Sequence, residues 1–163
     1  MKGNIRKACE EDAKSMVSIY NEYVLHTTIS FETEALSEEL MKERLRAVQG
    51  NFPWLVYEEN GSVLGYCYAH PWKSRAAYRN TWESTIYLAP GYLHRGIGRA
   101  LMQELISAGR AAGCRILIAC ITANNHPSRD FHEKLGFRQV SHFPAVGEKM
   151  GEILDVVDFE LML

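Results

Sequence analysis

The most informative stretch of this sequence is Tyr87-Leu88-Ala89-Pro90-Gly91-Tyr92-Leu93-His94-Arg95-Gly96-Ile97-Gly98-Arg99, in which a strand-like run passes through a glycine-containing loop into a helix. The first N–H groups of a helix have no partner within it, so they bind anions, and the helix dipole assists. Gly96 and Gly98 would let a phosphate approach the backbone, and Arg95 and Arg99 add positive charge. The spacing is neither G-x-G-x-x-G nor a Walker loop, so a phosphate site and a plain strand-to-helix turn are equally open on these glycines alone.

The segments before this loop predict two helices and four strands. Apolar residues at helical spacing indicate a helix over 11–25, and Ser37 is placed to cap a second helix with its own apolar stripe. Asn60-Gly61 is a strong signal for a hairpin turn. The strands predicted on this side are 5–8, 54–58, 63–70 and 81–88.

Helical and strand-like segments alternate after the loop. A helix is predicted over 97–111, followed by the continuous apolar run 116–121, which is typical of a strand buried on both faces. A short helix over 127–135 precedes two closing strands, 137–143 and 153–163. This order predicts a mixed α/β (α+β) fold with an antiparallel first half and a strand–helix–strand unit in the middle.

Composition restricts the classes of function. The 163 residues suit a single domain, 1–163, and the apolar and charged fractions of 47% and 23% are ordinary for a globular protein. A net charge of −2 argues against nucleic acid, no run is apolar enough for a membrane span, and the polar start Met1–Asp12 is unlike a secretory signal. The four cysteines and six histidines show no metal-ligand spacing, so we expect no metal and reduced thiols in the cytoplasm. A catalytic cysteine stays open, but no motif marks one.

Three ordered motifs resemble those of the GNAT superfamily of N-acetyltransferases. The loop is similar to the family's Q/R-x-x-G-x-G/A segment, which binds the diphosphate of coenzyme A, although Leu93 stands where the family has Gln or Arg. Asn125 and the later Gly136-Phe137 are similar to the family's N-x-x-A/S-x-x-x-Y-x-x-x-G-F stretch, with His132 where many members have tyrosine. The resemblance implies a GNAT fold, with a mixed, mostly antiparallel sheet of about six to seven strands flanked by about four helices. It also implies acetyl-CoA as co-substrate, with contacts from Ile86, Tyr87, Leu88, Leu93, His94, Arg95, Gly96, Ile97, Gly98, Arg99 and Asn125.

One branch of the superfamily is more similar than the rest. The segments 28–34, 68–78 and 81–87 resemble phosphinothricin acetyltransferases, a branch that includes enzymes for methionine sulfoximine and methionine sulfone and that carries histidine at the position of His132. Arg75 could bind an acidic group of such a substrate bidentately; the alternative is a solvated loop charge. The resemblance implies substrate contacts from Phe31, Glu32, Lys73, Arg75, Ala76, Ala77 and Tyr78, although the aromatic residues could instead pack the loop.

Acetyl transfer needs a neutral amine, so a base must remove a proton from the ammonium group. Glu83 is the predicted base, because strand alternation separates it from Trp82 and Ile86 and apolar neighbours would raise its pKa. The alternative is a strand-end glutamate facing water. His132 is the second predicted catalytic residue, as a donor or relay of a proton to the coenzyme A thiolate; the alternative is a histidine on the helix surface.

The sequence therefore predicts direct acetyl transfer to a small-molecule amine within a ternary complex. The resemblance further implies a homodimer, with no nucleic acid and no membrane as partners. An acetyltransferase acting on peptides, a non-catalytic sensor that binds coenzyme A and a mononucleotide-binding protein are the alternatives.

Overall fold

The computed structural model describes residues 3–163, and within them eight strands form one sheet. The strands are β1 (Asn4–Lys7), β2 (Trp54–Glu59), β3 (Ser62–Pro71), β4 (Thr81–Leu88), β5 (Ile116–Thr122), β6 (Arg138–Gln139), β7 (Phe143–Lys149) and β8 (Glu152–Met162). The helices are α1 (Ala13–His26), α2 (Glu38–Gln49), α3 (Ile97–Ala111) and α4 (His126–Lys134), with short 3-10 turns at Glu10–Asp12 and Ala76–Tyr78. The strand order is β1-β2-β3-β4-β5-β8-β6, and β7 also pairs with β8.

Two apolar clusters form the core, one on each face of the sheet. The helices α1 and α2 pack on one face around Trp54, Val56 and Tyr66, and α3 packs on the other around Leu55 and Cys67. Alternate residues of β2 therefore face opposite clusters, as the two-residue period of a strand requires. The mixed, mostly antiparallel sheet with helices on both faces confirms the predicted fold class.

Local signals account for several element boundaries. The Ser37 hydroxyl accepts a hydrogen bond from the Leu40 N–H at 3.1 Å, which confirms the predicted helix cap. The φ angles of Asn60 and Gly61 are both positive, at 52° and 76°, as a two-residue hairpin turn requires. The predicted bounds 81–88 and 97–111 coincide with β4 and α3.

The closing part of the chain differs from the prediction. The strand predicted over 137–143 is the two-residue β6, and the chain then forms β7, which pairs with β8 across a turn at Met150 and Gly151. A strand was not predicted here because β7 is mostly exposed, lacks alternating apolar residues and contains an irregularity before Gly147. The sheet thus has eight strands within residues 3–163 rather than six or seven.

The parallel pairing of β4 with β5 is short, and this shapes the site. It covers three residue pairs and ends where Glu83 meets Ile118, whereas β4 continues to Leu88. Beyond Glu83, β4 keeps only its β3 partner, and β5 stays paired with β8. The sheet is therefore open between β4 and β5, and Cys120 on β5 is exposed there, so the prediction that this strand is buried on both faces is wrong at that position.

None of the helices within residues 3–163 has the length and apolar character needed to cross a membrane. Residues 1 and 2, which belong to the polar start predicted over Met1–Asp12, lie outside the described residues.

Candidate active site

A cavity of about 520 Å³ lies where β4 and β5 separate. Its walls come from α1 and the loop after it, α2, β3, β4, β5, β8 and α4. Seven of the residues predicted to form the site line this cavity: Phe31, Glu32, Glu83, Ile86, Tyr87, Asn125 and His132. Residues that lie far apart in the sequence are thus brought together around one space large enough for a small ligand.

Glu83 lies at the last position of β4 that pairs with β5, and its side chain is 27% exposed. Burial raises the pKa of its carboxyl group, the nearby His70 opposes this rise, and Asp158 adds to it. The predicted rise in pKa is therefore present, and its main cause is loss of water. Trp82 packs in the apolar cluster of Leu55 and Cys67, on the face of β4 opposite to the Glu83 side chain. The alternation predicted for this strand is therefore confirmed.

His132 is buried at 3% exposure, so the alternative of a surface histidine is wrong. Its Nδ1 lies 2.8 Å from the carbonyl oxygen of Ser128, which can only accept. The proton therefore sits on Nδ1, and Nε2 carries a lone pair. Burial lowers the pKa of His132, and Phe131 and Phe137 contact the ring edge-on at 5.1 and 5.0 Å between centroids.

Asn125 links the cavity to α4. Its side-chain oxygen accepts a hydrogen bond from the Ser128 N–H at 3.2 Å and so caps the helix. That cap positions the same turn whose Ser128 carbonyl holds His132. Asn125 therefore has a structural role in addition to any contact with a ligand.

The glycine-containing loop enters α3 with left-handed backbone at two positions. His94 and Gly96 have φ angles of 60° and 82°, and Gly96 is the residue that precedes the first helical residue, Ile97. Its place at the start of α3 leaves the first N–H groups of the helix without an intrahelical partner. Gly98 is buried, and a methyl group there would meet Leu88 and Phe131 at 3.4 and 3.5 Å, which is ordinary contact, so packing does not require glycine at this position.

Charged and apolar side chains around this loop lie at the surface. Arg95 lies 3.8 Å from Glu59 and 5.0 Å from the centre of the Tyr92 ring. Arg99 and Leu93 are exposed. The positive charge predicted at the start of α3 is therefore present and accessible.

The edge of β4 that faces the opening carries the backbone groups of residues 86 and 88, because the residues that alternate with them direct theirs to β3. Pairing with β5 stops before them, so this edge is not paired by that strand. The Leu88 carbonyl already accepts a hydrogen bond from the Tyr23 hydroxyl at 2.6 Å. A ligand along this edge would therefore share the Leu88 carbonyl oxygen with the Tyr23 hydroxyl.

The structure does not bring Lys73, Arg75 and Tyr78 into this cavity. They line a second cavity on the connection between β3 and β4, next to the short 3-10 turn that holds Ala76 and Ala77. Lys73 Nζ lies 4.2 Å above the Trp72 ring, and Trp72 contacts Tyr78 edge-on at 5.3 Å. In a single chain these residues and Glu83 therefore belong to different cavities.

Several residues of the first cavity were not predicted from the sequence. Arg44 on α2 forms an ion pair with Glu32, whose Oε2 atom is buried and has no hydrogen-bond partner among residues 3–163. Lys149 does not line the cavity, but it is buried and donates to the Ser30 carbonyl at 2.6 Å, and this bond links the loop that carries Phe31 to β7. The apolar spacing of α2 indicates that Arg44 is on a helix, but nothing in the sequence pairs it with a loop twelve residues away. The described part of the chain contains no group of three His, Cys, Asp or Glu side chains able to hold a metal ion.

Comparison with known proteins agrees with this geometry. The profile of the Acetyltransferase (GNAT) family matches residues 16–137. The chain is 37% identical to a phosphinothricin N-acetyltransferase of Streptomyces viridochromogenes, covering 96% of this chain and 88% of the relative. It is 35% identical to an L-methionine sulfoximine/L-methionine sulfone acetyltransferase of Salmonella typhimurium, covering 98% and 94%.

A solved structure gives the same relationship. The structure of a putative acetyltransferase from Salmonella typhimurium with its cofactor acetyl-CoA superimposes with a TM-score of 0.97 at 34% identity, over 100% of this chain and 95% of that one. The eight-stranded sheet, its opening after Glu83 and the family profile all agree, and the chain belongs to the GNAT family of acetyltransferases.

Proposed function

We propose that this chain transfers the acetyl group of acetyl-CoA to the amino group of a small amino-acid analogue of the phosphinothricin, methionine sulfoximine or methionine sulfone type. The names of the relatives at 37% and 35% identity support this substrate class. The observation that carries the proposal is Glu83, a desolvated carboxylate at the point where the sheet opens into the cavity.

The residues present fit acetyl-CoA. Gly96 at the start of α3 and the N–H groups that follow it suit the diphosphate, and Arg95 and Arg99 lie at the same surface. The unpaired edge of β4 over residues 86–88 suits the amide groups of the pantetheine arm. When bound, acetyl-CoA supplies a thioester carbonyl carbon as the electrophile. The side chains of this protein then have two tasks. They hold the amine next to the thioester carbon, and they carry protons away from the amine and toward the sulfur.

Glu83 is the proposed base. Its raised pKa makes the carboxylate a better proton acceptor than an exposed glutamate, which suits removal of a proton from an ammonium group. Only the ionised form of Glu83 can accept a proton. Activity is therefore lost as the pH falls through the titration range of this carboxyl group. Glu83→Gln keeps the shape of the side chain and removes the base.

His132 is the proposed proton relay on the thiolate side. Because Nδ1 donates to the Ser128 carbonyl, Nε2 of the neutral ring can accept a proton but holds none to give. The buried ring therefore has to take a proton before it can pass one to sulfur. This favours a relay over a simple acid.

Phe31 and Glu32 are the proposed substrate contacts within one chain, since both line the cavity beside Glu83. The buried, unpartnered Oε2 of Glu32 is an acceptor that an ammonium group would satisfy. Lys73, Arg75, Ala76, Ala77 and Tyr78 remain proposed contacts for the substrate's acidic group. Because those residues line a different cavity, this part of the proposal requires a second copy of the chain to supply them.

We therefore also propose a homodimer. The β7–β8 hairpin exposes the apolar side chains of Phe143, Val146, Met150 and Ile153, which are 48% to 64% exposed. Such a row of apolar residues on a hairpin suits an interface that excludes water. A cytoplasmic location is proposed because Cys9, Cys67, Cys114 and Cys120 are free thiols.

The first experiment measures thiol release from acetyl-CoA with phosphinothricin, methionine sulfoximine, methionine sulfone, ordinary amino acids, polyamines and a peptide. Wild type, Glu83→Gln and the exposed control Glu43→Gln are compared. We expect turnover of the sulfoximine, sulfone or phosphinothricin, a loss of about 10²- to 10⁴-fold in Glu83→Gln, and no change in the control. Turnover of the peptide alone, or tight coenzyme A binding without turnover of any amine, would overturn the proposal.

A second experiment tests the shared site. Arg75→Ala and Glu83→Gln are each expected to be poorly active, and mixing them under subunit exchange should restore part of the wild-type rate, since one of the two sites in a mixed dimer carries both native residues. Mixtures that stay as inactive as their parents, despite verified exchange, would contradict a shared site.

A further inference from the structure

His70 is the neighbour of Glu83 across the β3–β4 pairing, and the proposed acetyl transfer assigns it no role. It lies directly opposite Glu83 in the antiparallel β3–β4 pairing. Its Nε2 atom is 3.8 Å from Glu83 Oε1, and the two side chains are 30% and 27% exposed. Both line the first cavity. Cross-strand neighbours of this kind keep their separation as long as the two strands stay paired.

The orientation of the His70 ring follows from its other nitrogen. Nδ1 lies 3.0 Å from the Pro71 carbonyl oxygen, which only accepts, so Nδ1 carries a proton. Nε2 is therefore the nitrogen that faces the carboxylate. A protonated imidazole would present an N–H to the carboxylate, and a neutral one would present a lone pair.

We propose that His70 is a positioning residue for the base: it shares with Glu83 the proton taken from the substrate ammonium and releases it to solvent. This inference rests on the proposed acetyl transfer. The imidazole is 30% exposed in the unliganded chain, so solvent reaches the group that would release the proton. His70 thereby favours the ionised form of Glu83 in which the base can act.

Other titratable groups face Glu83 from the neighbouring elements. Tyr68 lies on β3 beside His70, at 5.9 Å between ring centroids. Cys120 on β5 lines the same cavity, and Asp158 on β8 is the register partner of Cys120. Asp158 opposes ionisation of Glu83. His70 is the group that offsets this negative charge, since Arg44 is held by Glu32.

The protons balance with this assignment. The bond from the amine nitrogen to the acetyl carbon forms, and the bond from that carbon to sulfur breaks with its electron pair on sulfur. One proton of the ammonium group goes to the Glu83–His70 pair and then to solvent, and a second goes to the thiolate. The products are an amide, a thiol and one released proton.

The test is the pH dependence of kcat/KM for the best amine, measured from about pH 5 to about pH 10. In His70→Gln we expect kcat/KM to fall by roughly two- to fivefold on the acidic side, where Glu83 loses its positive neighbour, with the alkaline plateau nearly unchanged. The matched control is His26→Gln, because His26 lies 3.9 Å from Glu22 outside the cavity. An acidic side of the profile identical to that of wild type would overturn the inference, as would an equal loss at every pH.

A measurement on the wild-type chain keeps the inference testable if His70→Gln does not fold. NMR of the Glu83 carboxyl carbon and the His70 ring nitrogens should show both groups changing over the same pH interval. In Glu83→Gln the histidine signals should lose that change. Independent titration of the two groups would refute the pair. Absence of turnover in wild type would instead refute the proposed function and leave this NMR test standing.

Discussion

Gly147→Ala tests the place of Phe31 in the cavity. A methyl group at position 147 would lie 2.6 Å from Cζ of the Phe31 ring, far inside van der Waals contact. Gly147 does not have a positive φ, so alanine adds no backbone strain there. The Phe31 side chain is 46% exposed, and the ring rather than β7 is expected to move.

The magnitude follows from what the ring contributes to a bound amine. An aromatic contact contributes about 0.5–1.5 kcal/mol beyond area burial, which corresponds to roughly a two- to twelvefold loss in kcat/KM. Because Phe31 can move toward solvent, the unfolding free energy should fall by less than about 1 kcal/mol, below the range for overpacking a closed core. Acetyl-CoA affinity should not change.

Thiol-release kinetics against amine concentration, with urea unfolding and calorimetry of acetyl-CoA binding, measure these three quantities. Gly50→Ala is the control, since Gly50 has an ordinary φ of −68° and no neighbouring atom within 4 Å of an added methyl group. If the clash acts through the ring, Gly147→Ala should have little effect in a Phe31→Ala background. Additive losses in the double variant would refute this reasoning.

Three further predictions concern the loop, the buried lysine and the base. Gly96→Ala forces alanine to a φ of 82°, which costs about 1–2 kcal/mol, and should weaken acetyl-CoA binding measured by calorimetry; Gly98→Ala meets only contacts of 3.4 Å or more and should bind nearly normally, and equal losses would contradict the distinction. Lys149→Met removes the bond to the Ser30 carbonyl and should lower the unfolding free energy in urea by about 1–3 kcal/mol; an unchanged midpoint would contradict it. Because burial raises the pKa of Glu83, the fall of kcat/KM with decreasing pH should begin at a higher pH than it would with an exposed glutamate. The variant Glu83→Gln should lose this pH dependence.

The sequence allowed much of the fold to be predicted because its local signals are strong. The beginning or end of an element is marked by Ser37, by Asn60-Gly61 and by Pro90-Gly91. The last of these lies between β4 and α3, whose bounds were predicted correctly. Glu83, Asn125 and His132 were selected through their motifs, and they do line one cavity. Their chemical roles remain predictions.

The remaining features depend on contacts between distant segments. The connection between β3 and β4 contains no short turn signal, so the register that places His70 opposite Glu83 could not be predicted. Nor could the separate cavity of Arg75, since the neighbouring sequence does not show which way that connection folds. β7 lacked an apolar alternation because its outward side faces no other part of this chain within the described residues.

The same physical cause acts in opposite directions on the two proposed catalytic groups. Loss of water disfavours a charged carboxylate and a charged imidazole alike, so it raises the pKa of Glu83 and lowers that of His132. In water the imidazole binds a proton more tightly than the carboxylate does, and burial reduces that difference. The Glu83 carboxylate is therefore a stronger base, and the His132 imidazolium a stronger acid, than either group would be in water. Replacing either group by one with an unshifted pKa should therefore slow acetyl transfer even where the geometry is preserved.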